Sequence, residues 1–217
     1  MRITFSGHAE ALVAPERGTV HLTISAENLD QETALRAAES AANWLLDDLK
    51  PLRSGPVTWY SMDAISTSNW QPRDQHGRAQ ARQYQAVCRA RVKFKDFFAL
   101  STAVSRWGEQ PSISIGHVEW ELTDETRDRV KADVLVAALA DAHQRASVAA
   151  GYLGQPTLRV VEVADPGLLG HGEESSYQGP SAMFARGAAF AESSQAVELA
   201  PQEIAISSTL HVQFETA

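Results

Sequence analysis

The sequence predicts an α+β chain of about seven strands, two long helices and one short helix. Three observations carry that reading. Apolar and polar residues alternate with a period of two at both ends of the chain, from Ile3 to Val13 and from Ile204 to Phe214, as in strands with one buried face. Between Thr123 and Leu153 small apolar residues recur at three- and four-residue steps with no proline among them, as in a long helix. The remaining apolar runs are short, and Pro and Gly separate them.

In the opening strand Ile3, Phe5, Gly7, Ala9, Ala11 and Val13 share one face. After Ala14 to Gly18, a turn-forming segment, Val20, Leu22, Ile24 and Ala26 repeat the pattern, so the first two strands are expected to form a hairpin. Asn28 or Asp30 caps a helix that runs to about Leu49, with Ala34, Ala38, Ala41, Leu45 and Leu49 on one face, Trp44 beside them, and Pro51 as its stop. Val57 to Ile65 forms a weaker strand that fades into the polar stretch 67–79. Tyr84 to Phe94 is a cleaner one, with Ala86, Cys88, Ala90, Val92 and Phe94 on its apolar face and Arg89, Arg91 and Lys93 on the other. A short helix from Asp96 to Trp107 carries Phe97, Leu100 and Val104. In the next strand the apolar phase switches around Gly116, from Ile113 and Ile115 to Val118, Trp120 and Leu122, which predicts a β-bulge at that glycine.

Thr123 and Asp124 supply the oxygens and the negative charge that suit a helix start. Leu135, Ala138, Leu139, Ala142, Ala146, Ala149 and Leu153 form the expected stripe of a helix roughly 28 residues long, a rod of about 40 Å. Its alanines let it lie close to a sheet, and Gly154 with Pro156 ends it. Leu158 to Val163 reads as a strand. From Ala164 to Ala200 the apolar density drops and glycines and serines accumulate, so 1–217 reads as a single domain with a long loop or arm at 164–200, in which Met183, Phe184 and Phe190 suggest a short docked piece.

A formal charge of −8 repels phosphate backbones and argues against nucleic acid as principal partner. A single cysteine, Cys88, rules out an intrachain disulfide and any multi-cysteine zinc site, in keeping with a reducing compartment. No run reaches the ~18 to 20 apolar residues of a membrane span. The first residues already alternate like a strand, leaving no room for a secretory signal, so a cytoplasmic location is expected.

Motifs with chemistry are sparse. Seven histidines include no His-Glu-x-x-His and no pair four apart, there is no Gly-x-Ser-x-Gly elbow, and Gly167 to Gly172 matches neither a P-loop nor a dinucleotide fingerprint. No catalytic residue, metal or cofactor is therefore assigned. Two constellations stand out as binding candidates. One is the cationic stripe Arg89, Arg91 and Lys93, either an anion- or partner-binding ribbon or, as we favour, a set of cations paired across the sheet with Glu119 and Glu121. The other is His171, Glu173 and Glu174 in the long loop. His8, His21 and His211 lie on polar strand faces, Cys88 lies on an apolar face as a buried thiol of raised pKa, and Trp59, Trp70, Trp107 and Trp120 are expected to serve packing.

Three stretches together resemble the SIMPL-domain family, the group that includes the periplasmic immunogenic proteins. These are Ile3 to Glu10 followed by Ala14-Pro15-Glu16, the alanine-rich run Ala137 to Ala150 followed by Tyr152-Leu153-Gly154, and Ile204 to Phe214 entered from Pro201. The resemblance covers nearly the whole chain. It implies a twisted, mainly antiparallel sheet with helices packed on it and a tendency toward self-association. Many members resemble exported proteins with an N-terminal signal, which this sequence lacks, and the family offers no agreed catalytic residues to carry over. The expected function is that of a non-enzymatic binding or self-assembling protein with a possible protein partner; the alternative is a small-ligand receptor or enzyme with a site under the 164–200 loop.

Overall fold

The computed structural model describes residues 1–155, 157–168 and 201–216. In chain order the elements are β1 (Arg2–Val13), β2 (Arg17–Asn28), α1 (Gln31–Leu52), β3 (Val57–Met62), β4 (Ser66–Trp70), β5 (Gln83–Phe94), α2 (Phe97–Gly108), β6 (Ile113–Glu121), α3 (Asp124–Tyr152), β7 (Leu158–Ala164) and β8 (Ile204–Thr216). The fold class is α+β, and the strands divide between two antiparallel sheets. Two compact units result: one holds β1, α3, β7 and β8, the other β2 to β6 with α1 and α2.

The first unit is a three-stranded sheet in the order β1-β8-β7. The expected hairpin of the first two strands does not form. β1 instead pairs with β8 along its whole length, from Arg2 opposite Glu215 to Val13 opposite Ile204, because the two ends of the chain carry matching alternation and so bury their apolar faces together. α3 covers that face. Its N-cap is Thr123, and the last turn closes with amide bonds from Gly154 to Gly151 O (3.1 Å) and from Gln155 to Ala150 O (2.9 Å), the Schellman pair, with Gly154 at φ +70°.

The buried stripe of α3 is Thr126, Val130, Val134, Ala138, Ala142, Ala146 and Ala150, strictly every fourth residue. Leu135 and Leu153, expected on it, are 45% and 50% exposed. At about 100° per residue a four-residue step overshoots one turn by roughly 40°, so this stripe winds slowly round the helix, as contact with a twisted sheet requires. Alanine at its centre brings the helix very close. A Cβ added to Gly7 of β1 would lie 2.0 Å from the Ala138 carbonyl oxygen and 2.9 Å from Ala142 Cβ. Leu210, Val212 and Phe214 complete this core, with Ile3, Phe5, Ala9, Leu139 and Leu158 at its margin.

The second unit has strand order β3-β5-β2-β6, with β4 continuing the β3 edge along the other half of β5. β4 arises from the stretch into which the third strand was expected to fade. Ser66-Thr67-Ser68-Asn69-Trp70 carries no apolar alternation because all five residues are exposed, so only pairing with β5 makes it a strand. α1 and α2 pack on the apolar face through Ala42, Leu45, Leu49, Leu100, Ala103 and Trp107 against Val20, Leu22, Ile24, Cys88, Ala90, Val92 and Phe94. α1 begins at its Asp30 cap and continues through Pro51 to Leu52, one residue past the expected stop; the amide of Arg53 bonds Leu49 O, so the proline removes one ladder bond without ending the helix. The helices are tied by Asp48, whose Oδ2 accepts from Trp107 Nε1 (2.7 Å) and Arg106 Nη2 (2.5 Å).

Among the described residues no helix is long and apolar enough to cross a membrane.

Candidate binding surfaces

The cationic stripe of β5 lies on the face of the five-stranded sheet opposite its helices, and its three members have different surroundings. β2 separates β5 from β6, so a cation on β5 must reach across two strand spacings, about 9 to 10 Å, to meet a carboxylate on β6. Lys93 does so. Its Nζ lies 2.9 Å from Glu121 Oε2, and the same oxygen accepts from Thr19 Oγ1 at 2.8 Å. Glu119 is instead engaged by His21, Nε2 to Oε2 3.2 Å. Arg89 and Arg91 are exposed and form no ion pair with any described residue. The expected cross-sheet pairing therefore holds for Lys93 and fails for the two arginines.

Strand level is the cause. The glutamates of β6 stand level with Arg17 and Thr19, whereas the strand level of Arg89 runs through Thr23 to Ser114 and that of Arg91 runs to His21. The bulge expected from the switch of phase at Gly116 lies between these levels: Val20 faces Val118 and Leu22 faces Ile115, so Gly116 and His117 together oppose His21. The bulge also stacks His117 on His21, with ring centroids 4.2 Å apart and 14° between planes. Arg91 lies over the Trp59 ring, 5.7 Å from its centroid. An open groove of about 540 Å³ follows, lined chiefly by His21, Thr23, Asp63, Arg89, Arg91 and His117. Asp63 enters where β3 breaks off, its amide bonded to Arg89 O (2.8 Å). Of these residues, Thr23, Asp63 and His117 were not singled out in the sequence, because no spacing rule links three strands.

The second surface is the edge of the three-stranded sheet. Its two edge strands are finished differently. On β1 the outward amide of His8 donates to Asp141 Oδ2 (3.0 Å), and Arg145 Nη1 donates to Ser6 O, so α3 side chains cap that edge. β7 pairs only with β8 among the described strands, and α3 reaches it only near its start, at Leu158. Val160, Val161 and Val163 are 50%, 42% and 50% exposed. A bulge between Val160 and Glu162 is the one feature that interrupts this edge.

His171, Glu173 and Glu174 lie outside the described residues, as do Met183, Phe184 and Phe190. His8 and His211 belong to the first unit and His21 to the second, and no group of three or more His, Cys, Asp or Glu among the described residues could hold a metal ion. Cys88 is buried, its Sγ 3.1 Å from the Asp63 carbonyl oxygen; desolvation pushes the thiol pKa up and the Asp63 carboxylate adds to the shift. Trp107 is wholly buried and Trp120 packs edge-on to Phe97 at 4.9 Å, whereas Trp59 and Trp70 are 45% and 41% exposed.

The resemblance implied an α+β chain with helices packed on mainly antiparallel strands, and the structure has that class; that one sheet is made from the chain's own two ends is a finding of the structure. The family model for SIMPL, described as a protein of unknown function (DUF541), matches residues 3–214, nearly the whole chain, and the chain belongs to that family. A comparison with curated proteins finds no match.

Proposed function

We propose that this SIMPL-family chain acts by binding, and that its primary partner is a second copy of itself, joined through the β7 edge. The observation that supports this reading is the contrast between the edges of one small sheet. On β1 two outward backbone groups at mid-strand, the His8 amide and the Ser6 carbonyl, are taken up by Asp141 and Arg145, whereas β7 combines a strand edge without a described partner with three valines about half exposed. A strand of this kind is a template for another strand, since pairing satisfies its N–H and C=O groups and removes apolar surface from water at the same time. Association of two β7 edges would extend both sheets across an isologous contact.

The test is solution mass by light scattering on a sizing column, for the full chain, for Val160→Lys with Val163→Lys, and for a chain lacking residues 171–194. A closed oligomer that the double lysine variant converts to monomer is expected. A monomeric full chain overturns the reading. A full chain that is monomeric while the deleted chain associates overturns it as well, and makes the chain's own 171–194 segment the cover of β7.

A further inference from the structure

The geometry points to a second binding site, independent of self-association: a groove on the polar face of the five-stranded sheet in which Arg89 and Arg91, with the stacked His21 and His117, bind the phosphate group of a small hydroxyl-bearing molecule. The chemistry comes from the second unit alone.

Cations on a strand face are ordinarily matched by carboxylates on the neighbouring strands. β5 contains its own comparison. Lys93 is matched by Glu121, while two and four residues away Arg91 and Arg89 meet no carboxylate within ion-pair distance among the described residues. Asp63, which lines the same groove, forms no ion pair with either. Arg91 is not idle: its guanidinium carbon lies over the Trp59 ring, 5.7 Å from the centroid, a cation–π contact that helps to hold the group over the sheet. Two same-face residues on a strand stand about 6.5 to 7 Å apart, a distance that two arginine side chains span easily to converge on one anion.

The number of donors favours phosphate over carboxylate. One guanidinium fork satisfies the two oxygens of a carboxylate, whereas this groove offers two forks, the Thr23 hydroxyl and the His117 imidazole, stacked on a His21 that is itself held by Glu119, a set suited to the three terminal oxygens and higher charge of a phosphate monoester. Asp63 bears on the rest of the ligand. A carboxylate repels a second anion at its end of the groove and accepts a hydrogen bond, so the ligand should present a hydroxyl there. The volume of about 540 Å³ falls within the range of small-molecule sites. The net charge of −8 opposes a polyphosphate backbone at long range, while a single phosphate responds chiefly to these local cations.

The experiment is calorimetric titration of the full chain with glycerol phosphate, a phosphate monoester that carries hydroxyls, at about 0.15 M salt, repeated for Arg89→Gln, Arg91→Gln and Lys93→Gln. All three positions face water at least in part, and matching thermal melts establish that each variant is folded. One-to-one binding is expected, weakened about tenfold or more by either arginine substitution and by less than about twofold by Lys93→Gln. No binding at millimolar glycerol phosphate overturns the assignment. Equal weakening by all three substitutions overturns it too, since the effect would then be net charge alone. A single-stranded oligonucleotide that binds more tightly than glycerol phosphate, with all three cations contributing, overturns the small-molecule assignment in favour of nucleic acid.

Discussion

The two units seat helices on sheets in opposite ways. In the second, the space between α1, α2 and the sheet is filled by volume: Trp107, Phe94, Ile24, Leu45, Leu49 and Leu100 are all essentially inaccessible to water. In the first, the space hardly exists. Ala138, Ala142 and Ala146 of α3 rest on a strand whose contact residue is Gly7, and Leu210, Val212 and Phe214 bring the large buried side chains of this cluster. Both solutions exclude water and reach dense packing. They differ in what they tolerate: the core of the second unit is damaged by losing atoms, that of the first by gaining them.

Opposite changes in volume should therefore both destabilise. Trp107→Ala carries the largest expected effect, about 4 kcal/mol, since it empties the middle of the core and strips Asp48 of its indole donor. It should lower the midpoint of denaturant unfolding followed by tryptophan emission, which reports on the second unit because all five tryptophans lie there. Gly7→Ala adds a single methyl group yet should cost about 3 kcal/mol, because a Cβ 2.0 Å from a carbonyl oxygen forces α3 away from β1. Its signature is faster hydrogen exchange at β1 and β8 amides, with the tryptophan transition less affected than by Trp107→Ala. Equal tolerance of Gly7→Ala and of alanine at an exposed glycine would break the comparison. The smallest expected effect is that of Leu135→Gln, within about 0.5 kcal/mol, since this leucine faces solvent beside the alanine stripe and not within it. A loss of 2 kcal/mol or more would restore it to the core.

Local structure was legible where local chemistry governs it. Asp30 and Thr123 cap the helices they were expected to cap, Gly154 takes the left-handed conformation that closes α3, and the phase switch at Gly116 is a bulge. Each depends on neighbours a few residues away. The α3 stripe was only partly legible. Leu135 and Leu153 satisfy three- and four-residue steps as well as Val130 and Val134 do, and the twist of the sheet beneath decides which set is buried. β4 was not legible at all, because both its faces are exposed and periodicity records burial.

The candidate sites divide in the same way. The cationic face of β5 follows from alternation, and so does the presence of glutamates at the same interval on β6. Which cations meet them does not, since it depends on an intervening strand and on the register in which both strands pair with it. The bare edge of β7 is likewise a matter of partners: its sequence reads as a strand, but only the sheet shows that it ends the order β1-β8-β7.

By itself the sequence determined the α+β class, the positions and caps of the helices, the faces of the long strands and the SIMPL family, because propensity, capping and burial period act over a few residues along the chain. The tertiary structure decided the rest: that the first strand joins the last and not the second, that the strands form two sheets, that Lys93 is neutralised while Arg89 and Arg91 face a groove, and that β7 is an open edge. Strand pairing joins residues about 200 positions apart, as Arg2 and Glu215, and several registers satisfy the same local alternation until helices and bulges select one.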